Sequence, residues 1–194
     1  LTVREYQLEQ NQNLIVMLDC GRSMMGAWHG RTALDHALNA TLMLTHVAIR
    51  RGDNVGLLAF GERVERFLEP RGGRSASNHI IQATYDLFPA MVEPSHDEAF
   101  AVLRKRVRQR TLVVLVTHAL DEPTAERLKG HCRELLPRHL PLVALLRDEA
   151  LEARLGDDPE VGLGARAAAS ELVLWRDRLS LEMQRAGVLV VDVF

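Results

Sequence analysis

Four short stretches of this chain, Leu14–Leu18, Leu112–Val116, Leu140–Leu146 and Val188–Val193, are almost unbroken runs of Val, Leu and Ile. Runs of that kind mark strands covered on both faces, the situation of parallel strands sandwiched between helices. Two further strands are predicted at Val55–Phe60 and Val64–Leu68. Only Gly61, Glu62 and Arg63 separate them, so they read as a hairpin whose second strand is an antiparallel edge. Helical periodicity fills the gaps at Thr32–Arg50, Ser77–Leu87, Ser95–Arg108, Pro123–Leu136 and Ala165–Ala186. Ser95 with Glu98 has capping-box spacing, Thr32 with Asp35 resembles it, and Pro123 suits a first turn capped by Asp121. Right-handed crossovers then place helices on both faces of one sheet, an α/β doubly wound fold. Gly156–Gly164 reads as the long surface loop, and Gly72-Gly73 as a turn with Arg71 and Arg74 beside it.

With 194 residues and 47% apolar content, residues 1–194 are expected to form a single domain around a core of ordinary size. A net charge of −2 argues against a polyanion binder. The basic run Arg104–Arg110 ends a predicted helix and has only Phe100 as a nearby ring, so it reads as a solvated helix terminus rather than a nucleic-acid surface. Cys20 and Cys132 lie far apart in sequence, which indicates neither a disulfide framework nor a cysteine zinc site. The longest mostly apolar window, Ala37–Ile49, is too short to span a bilayer, so no membrane contact is expected within this chain.

The stretch carrying chemistry is Asp19-Cys20-Gly21-Arg22-Ser23, directly after the first apolar run. An aspartate and a serine there stand at the carboxyl edge of the sheet, where open α/β folds bind ligands. Each residue also has a plain local role open to it. Asp19 can accept hydrogen bonds from its own loop, Ser23 can cap the following turn, and Ser95 can cap a helix.

Strand, Asp-x-Gly-x-Ser, helix and a later strand ending in Thr117-His118 resemble a von Willebrand factor A domain. The segments "LDCGRSMMG", "RTALDHALNATLMLTHVAIRRGDNVGLLAFGERV", "VEPSHDEAF", "RTLVVLVTHALDE", "RHLPLVALLRDE" and "AGVLVVDV" are similar to the bacterial branch called domain of unknown function fifty-eight. The resemblance implies a six-stranded, mostly parallel sheet with one antiparallel edge strand. It also implies a parent anchored in the inner membrane, from which this chain, opening on Leu1, is a cytoplasmic piece. The partner it implies is a MoxR-type AAA+ ATPase.

Many such domains hold a divalent cation with D-x-S-x-S, a threonine on a second loop and an aspartate on a third, because Mg²⁺ requires oxygen ligands in near-octahedral array. Carried over by position, Asp19 and Ser23 match the first motif and Ser95 falls at the second-loop position. Gly21 and His118 depart from the pattern, which removes a hydroxyl and a carboxylate. Imidazole suits zinc or nickel better than magnesium. The expectation is a degenerate metal site at Asp19, Ser23 and Ser95, with no cofactor required and Mg²⁺ the ion to test.

Catalytic readings are thinner. Gly21–Gly26 approaches the nucleophile elbow but has one residue too many, although His118 and Asp121 could approach Ser23 at the same sheet edge. The phosphate-binding glycine signatures are absent. The sequence therefore reads as a non-catalytic interaction domain working through the loops Asp19–Met25, Glu93–His96 and Thr117–Asp121, with Met24, Met25 and Trp28 supplying apolar contact or core. The alternatives are a structural domain with a vestigial edge and a serine hydrolase.

Overall fold

The computed structural model describes residues 11–28, 30–118, 122–147 and 162–193; the side chains of Trp28 and Val193, and the expected roles of Asp121 and most of the Gly156–Gly164 loop, lie outside the described residues. The aliphatic runs form β1 (Asn13–Asp19), β6 (Thr111–Thr117), β7 (Leu140–Leu146) and β8 (Leu189–Val193). The hairpin forms β4 (Asn54–Phe60) and β5 (Val64–Arg71). Sheet order is β5-β4-β1-β6-β7-β8, with all neighbours parallel except β4 and β5.

Strand residues alternate between two cores. Ile15, Met17, Phe60, Val113, Leu115 and Leu145 face one, against α3 (His96–Arg106), α4 (Glu122–Leu135) and α5 (Leu163–Arg185). Leu14, Val16, Leu18, Leu57, Val114 and Val116 face the other, against α1 (Ala33–Arg50) and α2 (Gly73–Thr84). With two helices on that side, cover thins toward β8: Leu189 and Val191, in register with Leu142 and Ala144, are exposed. No helix among the described residues is long and apolar enough to cross a membrane.

Local chemistry sets the ends of the elements. Thr32 and Asp35 form the full capping box of α1, each serving the other's backbone N–H. Ser95 accepts from Glu98 N at 3.4 Å, but the Glu98 carboxylate accepts instead from Val64 N, so that box is half made. Helix α2 begins four residues before its expected start, because Gly73 takes φ +81°, which turns the chain into the helix at a conformation costly for other residues. Two elements are additional to the sequence reading: a 3₁₀ turn at Arg22–Met25 and a two-residue ribbon pairing β2 (Ala27–Trp28) with β3 (Arg31–Thr32).

Candidate functional site

Strand β1 ends at the centre of the sheet, with β4 on one side and β6 on the other, so its last residue is walled in before the chain can turn away. Asp19 is consequently fully buried. Its carboxylate accepts one hydrogen bond from Gly21 N at 2.7 Å and one from Thr117 Oγ1 at 2.7 Å. Burial pushes its pKa up to about 6; the bonds from Thr117 and Gly21 oppose the rise, the nearby Glu93 charge adds to it, and Ser23 lowers it slightly. Among the described residues no cation pairs with Asp19. Ser23 stands close enough to influence the carboxylate, yet its Oγ is buried without a hydrogen bond of good geometry.

The two loops over this floor are tied to each other by backbone. Arg22 N donates to Val92 O at 2.9 Å and Ala90 N donates to Cys20 O at 2.9 Å, while Ser95 N anchors the second loop to the β4–β5 turn by donating to Gly61 O at 2.8 Å. The Pro94 ring is pressed against Gly21 so closely that a Cβ there would lie 2.6 Å from Pro94 Cδ. Glycine at position 21 is thus a packing requirement of the neighbouring loop, and a serine ligand could not be accommodated without moving Pro94.

Around the buried carboxylate the same loops expose apolar side chains. Met25 is 40%, Phe88 72% and Met91 77% exposed, and Tyr85 at the end of α2 reaches 88%. Arg22 and Glu93 pair across the rim at 2.8 Å, both largely in solvent, where such a pair adds little stability. Met24, by contrast, is fully buried and belongs to the α1/α2 core, so of the two methionines only Met25 is available for contact. Cys20, inside the motif, is also buried, and burial pushes its thiol up to about 12, leaving it inert.

The structure therefore brings Asp19 and Ser23 together, with Thr117 as the partner that sequence reading passes over. Ser95 lies on the adjoining loop beside Pro94, with its hydroxyl engaged at the start of α3. His118 follows Thr117 at the carboxyl end of β6 and is nearly buried. Among the described residues no group of three or more His, Cys, Asp or Glu is arranged to hold a metal ion. On the far side of β4, His96 sits edge-on to Phe60 with ring centroids 5.3 Å apart. Burial, followed by the charges of His131 and Arg127, depresses its pKa to about 4, so it stays neutral.

Thr117 and the exposed rim were each within reach of the sequence. Thr117 ends an aliphatic strand next to the one bearing Asp19, and Phe88-Pro89-Ala90-Met91 places large apolar residues in a proline-containing linker.

A family model described as "Protein of unknown function DUF58" matches residues 1–189. No curated protein matches the chain. Among solved structures, the chain is similar to the SpRpn10 VWA domain, at 10% identity and TM-score 0.56, covering 94% of this chain and 88% of that one. It is also similar to the conserved hypothetical protein BatB from Bacteroides thetaiotaomicron, at 13% identity and TM-score 0.57, covering 95% of this chain and 92% of that one. At these identities the likeness establishes the fold, a von Willebrand factor A-like α/β sheet.

Proposed function

The chain belongs to the DUF58 family, and from that premise we propose that it is a non-catalytic interaction domain that binds a protein partner at the carboxyl edge of its sheet. The observation that carries this reading is a fully buried carboxylate, Asp19, beneath a rim of exposed Met25, Phe88 and Met91. Large apolar side chains gathered around a polar centre are costly in water and characteristic of contact surfaces. Methionine adds shape tolerance to such a surface.

The site is a degenerate form of the metal-dependent adhesion type. Asp19 and Ser23 remain as oxygen donors, the Ser95 hydroxyl caps α3, Thr117 serves Asp19, and Pro94 fills the space a hydroxyl at position 21 would need. Two oxygens would leave most of an octahedral Mg²⁺ shell to water. A serine-hydrolase mechanism finds no support here, because Ser23 Oγ has no hydrogen-bonded imidazole.

The partner we propose is a MoxR-type AAA+ ATPase on the cytoplasmic side of the inner membrane, with the tether supplied by segments outside this chain. The test is binding to a purified MoxR-type ATPase. Replacing Met25 and Met91 together with glutamate should weaken binding by about tenfold or more, since charge opposes a desolvated contact, while leaving the melting temperature unchanged. Full binding by that double variant, with loss on substituting exposed residues of α3, would replace the sheet-edge reading with that of a vestigial edge.

A further inference from the structure

We propose that the open edge of β5 is a second binding surface, distinct from the Asp19 site, and that it takes an extended acidic peptide as an added strand. β5 ends the sheet and pairs only with β4 among the described residues; Val64 N already donates to the Glu98 carboxylate and Glu65 O accepts from the Arg66 guanidinium, so the backbone left open on the outer side begins at Arg66. Phe67 packs against the α3 core and Leu68 against the α1/α2 core, and both remain partly exposed. Adjacent cavities of about 610 and 520 Å³ run along this edge and share Glu69, Arg71 and Arg106.

The charge in this trough is unbalanced. Arg66 is neutralised by Asp86 at 2.7 Å. Arg71, Arg106 and Arg108 form no ion pair with any described residue, and Arg106 has only the Phe67 ring, 5.5 Å from its guanidinium carbon. Among the described residues, Glu69 is the one acidic side chain lining either cavity. A net positive trough on a chain of net charge −2 selects an acidic ligand.

A peptide fits better than a nucleic acid for two reasons. The edge offers main-chain donors and acceptors, which an added strand uses and a phosphodiester backbone does not. Among the described residues Phe67 is the only ring in the trough besides His79, and Arg106 already covers it, which leaves no platform for stacked bases there. Pro70, which lacks an N–H, and the irregularities between Val55 and Leu57 and between Ala59 and Phe60 in the β4–β5 pairing confine strand addition to Arg66–Glu69.

The experiment is fluorescence anisotropy with a labelled Glu-Val-Glu-Val-Glu-Val-Glu peptide at low salt. Saturable binding is expected, reduced about tenfold or more by Arg71→Glu with Arg106→Glu and by N-methylation of alternate peptide nitrogens, since both charge and main-chain bonding carry affinity. Asp19→Asn should leave it unchanged. The proposal is overturned by absence of saturable binding up to about 1 mM peptide, the weak end of specific recognition. Equal affinity of the N-methylated peptide, or tighter binding of a single-stranded oligonucleotide of equal charge, would overturn it too.

Discussion

Two aspartates end strands on the same edge of the same sheet and are treated in opposite ways. Asp192, on β8, is clamped between Arg176 at 2.7 Å and Arg147 at 3.2 Å, and Arg176 also donates to Leu145 O at 2.8 Å. Asp19, on β1, is more deeply buried and, among the described residues, has one amide and one hydroxyl in place of any cation. The first carboxylate fastens α5 and the end of β7 to the edge strand. The second is a liability, because a buried carboxylate ionised at neutral pH without a counter-charge destabilises the fold that holds it. The contrast teaches that the fold can neutralise an acid at this edge and, among the described residues, does not do so at Asp19. Such uncompensated cost concentrates at binding sites.

The largest effect expected from breaking this contrast is at Asp192. Asp192→Ala removes the carboxylate that the nearly buried Arg176 guanidinium meets at 2.7 Å, and losing one partner of such a pair costs about 3–5 kcal/mol. Denaturant unfolding should show that loss. A change below about 1 kcal/mol would mean that the clamp is no more than a surface pair.

Next in size is Asp19→Asn, which should stabilise. Asparagine Oδ1 still accepts from Gly21 N, its Nδ2 donates to Thr117 Oγ1 where Asp19 accepts from it, and the charge is removed. The folded pKa of Asp19, about 6, lies above the ordinary 3.8, so the native state holds the extra proton between those values and stability falls as pH rises through that window. His96 acts in the other direction: its folded pKa, about 4, lies below the ordinary 6.5, so stability rises as pH increases from about 4 to 6.5. Each shift corresponds to about 3 kcal/mol, so the two nearly cancel in the parent chain. Asp19→Asn should therefore be about 3 kcal/mol more stable than the parent at pH 8 and show the uncovered upward slope between pH 4 and 6.5. Unfolding curves at pH 4, 5, 6.5 and 8 check this, and equal stabilities at pH 8 would show that Asp19 carries no cost.

A smaller loss is expected from Gly21→Ser, because the new Cβ meets Pro94 Cδ at 2.6 Å and overpacking of this kind costs about 1–3 kcal/mol. Adding Pro94→Ala should restore most of it. If Gly21→Ser alone is neutral, the two loops are not locked together as their backbone hydrogen bonds imply.

The sheet was legible in sequence because burial on both faces leaves unbroken aliphatic runs, and the observed strands Asn13–Asp19 and Thr111–Thr117 extend the expected ones by a residue at each end. Asp19 and Ser23 were legible because they follow such a run at once. Thr117's bond to Asp19 joins residues 98 apart, and Pro94's approach to Gly21 depends on how two loops fold over one another; neither leaves a periodic trace. The Asp192 clamp was hidden for the same reason: Asp192 reads as an interruption in an aliphatic run and Arg176 as an ordinary helix arginine, until the crossover places them together.

The smallest expected effect sharpens the comparison most. Asp192 has its positive charge built in, and if Asp19 were designed to borrow its own from Mg²⁺, adding the ion should stabilise the chain much as Arg176 does at Asp192. With Asp19 and Ser23 as the oxygens to hand, and Ser95 and Thr117 engaged elsewhere, a dissociation constant of about 10 mM or weaker is expected, because most of the ion's shell would remain water. At about 5 mM Mg²⁺ the linkage stabilisation is then about 0.2 kcal/mol, or less than about 1 °C in melting temperature for a domain of this size. Thermal shift with Mg²⁺, Mn²⁺, Ca²⁺ and Zn²⁺ measures it directly. A rise of several degrees with Mg²⁺ that disappears in Asp19→Ala would show that the buried carboxylate is a working metal ligand, and the degenerate-site reading would fall. A flat response, together with the gain in Asp19→Asn, would leave a protein partner as the source of the charge that Asp19 lacks.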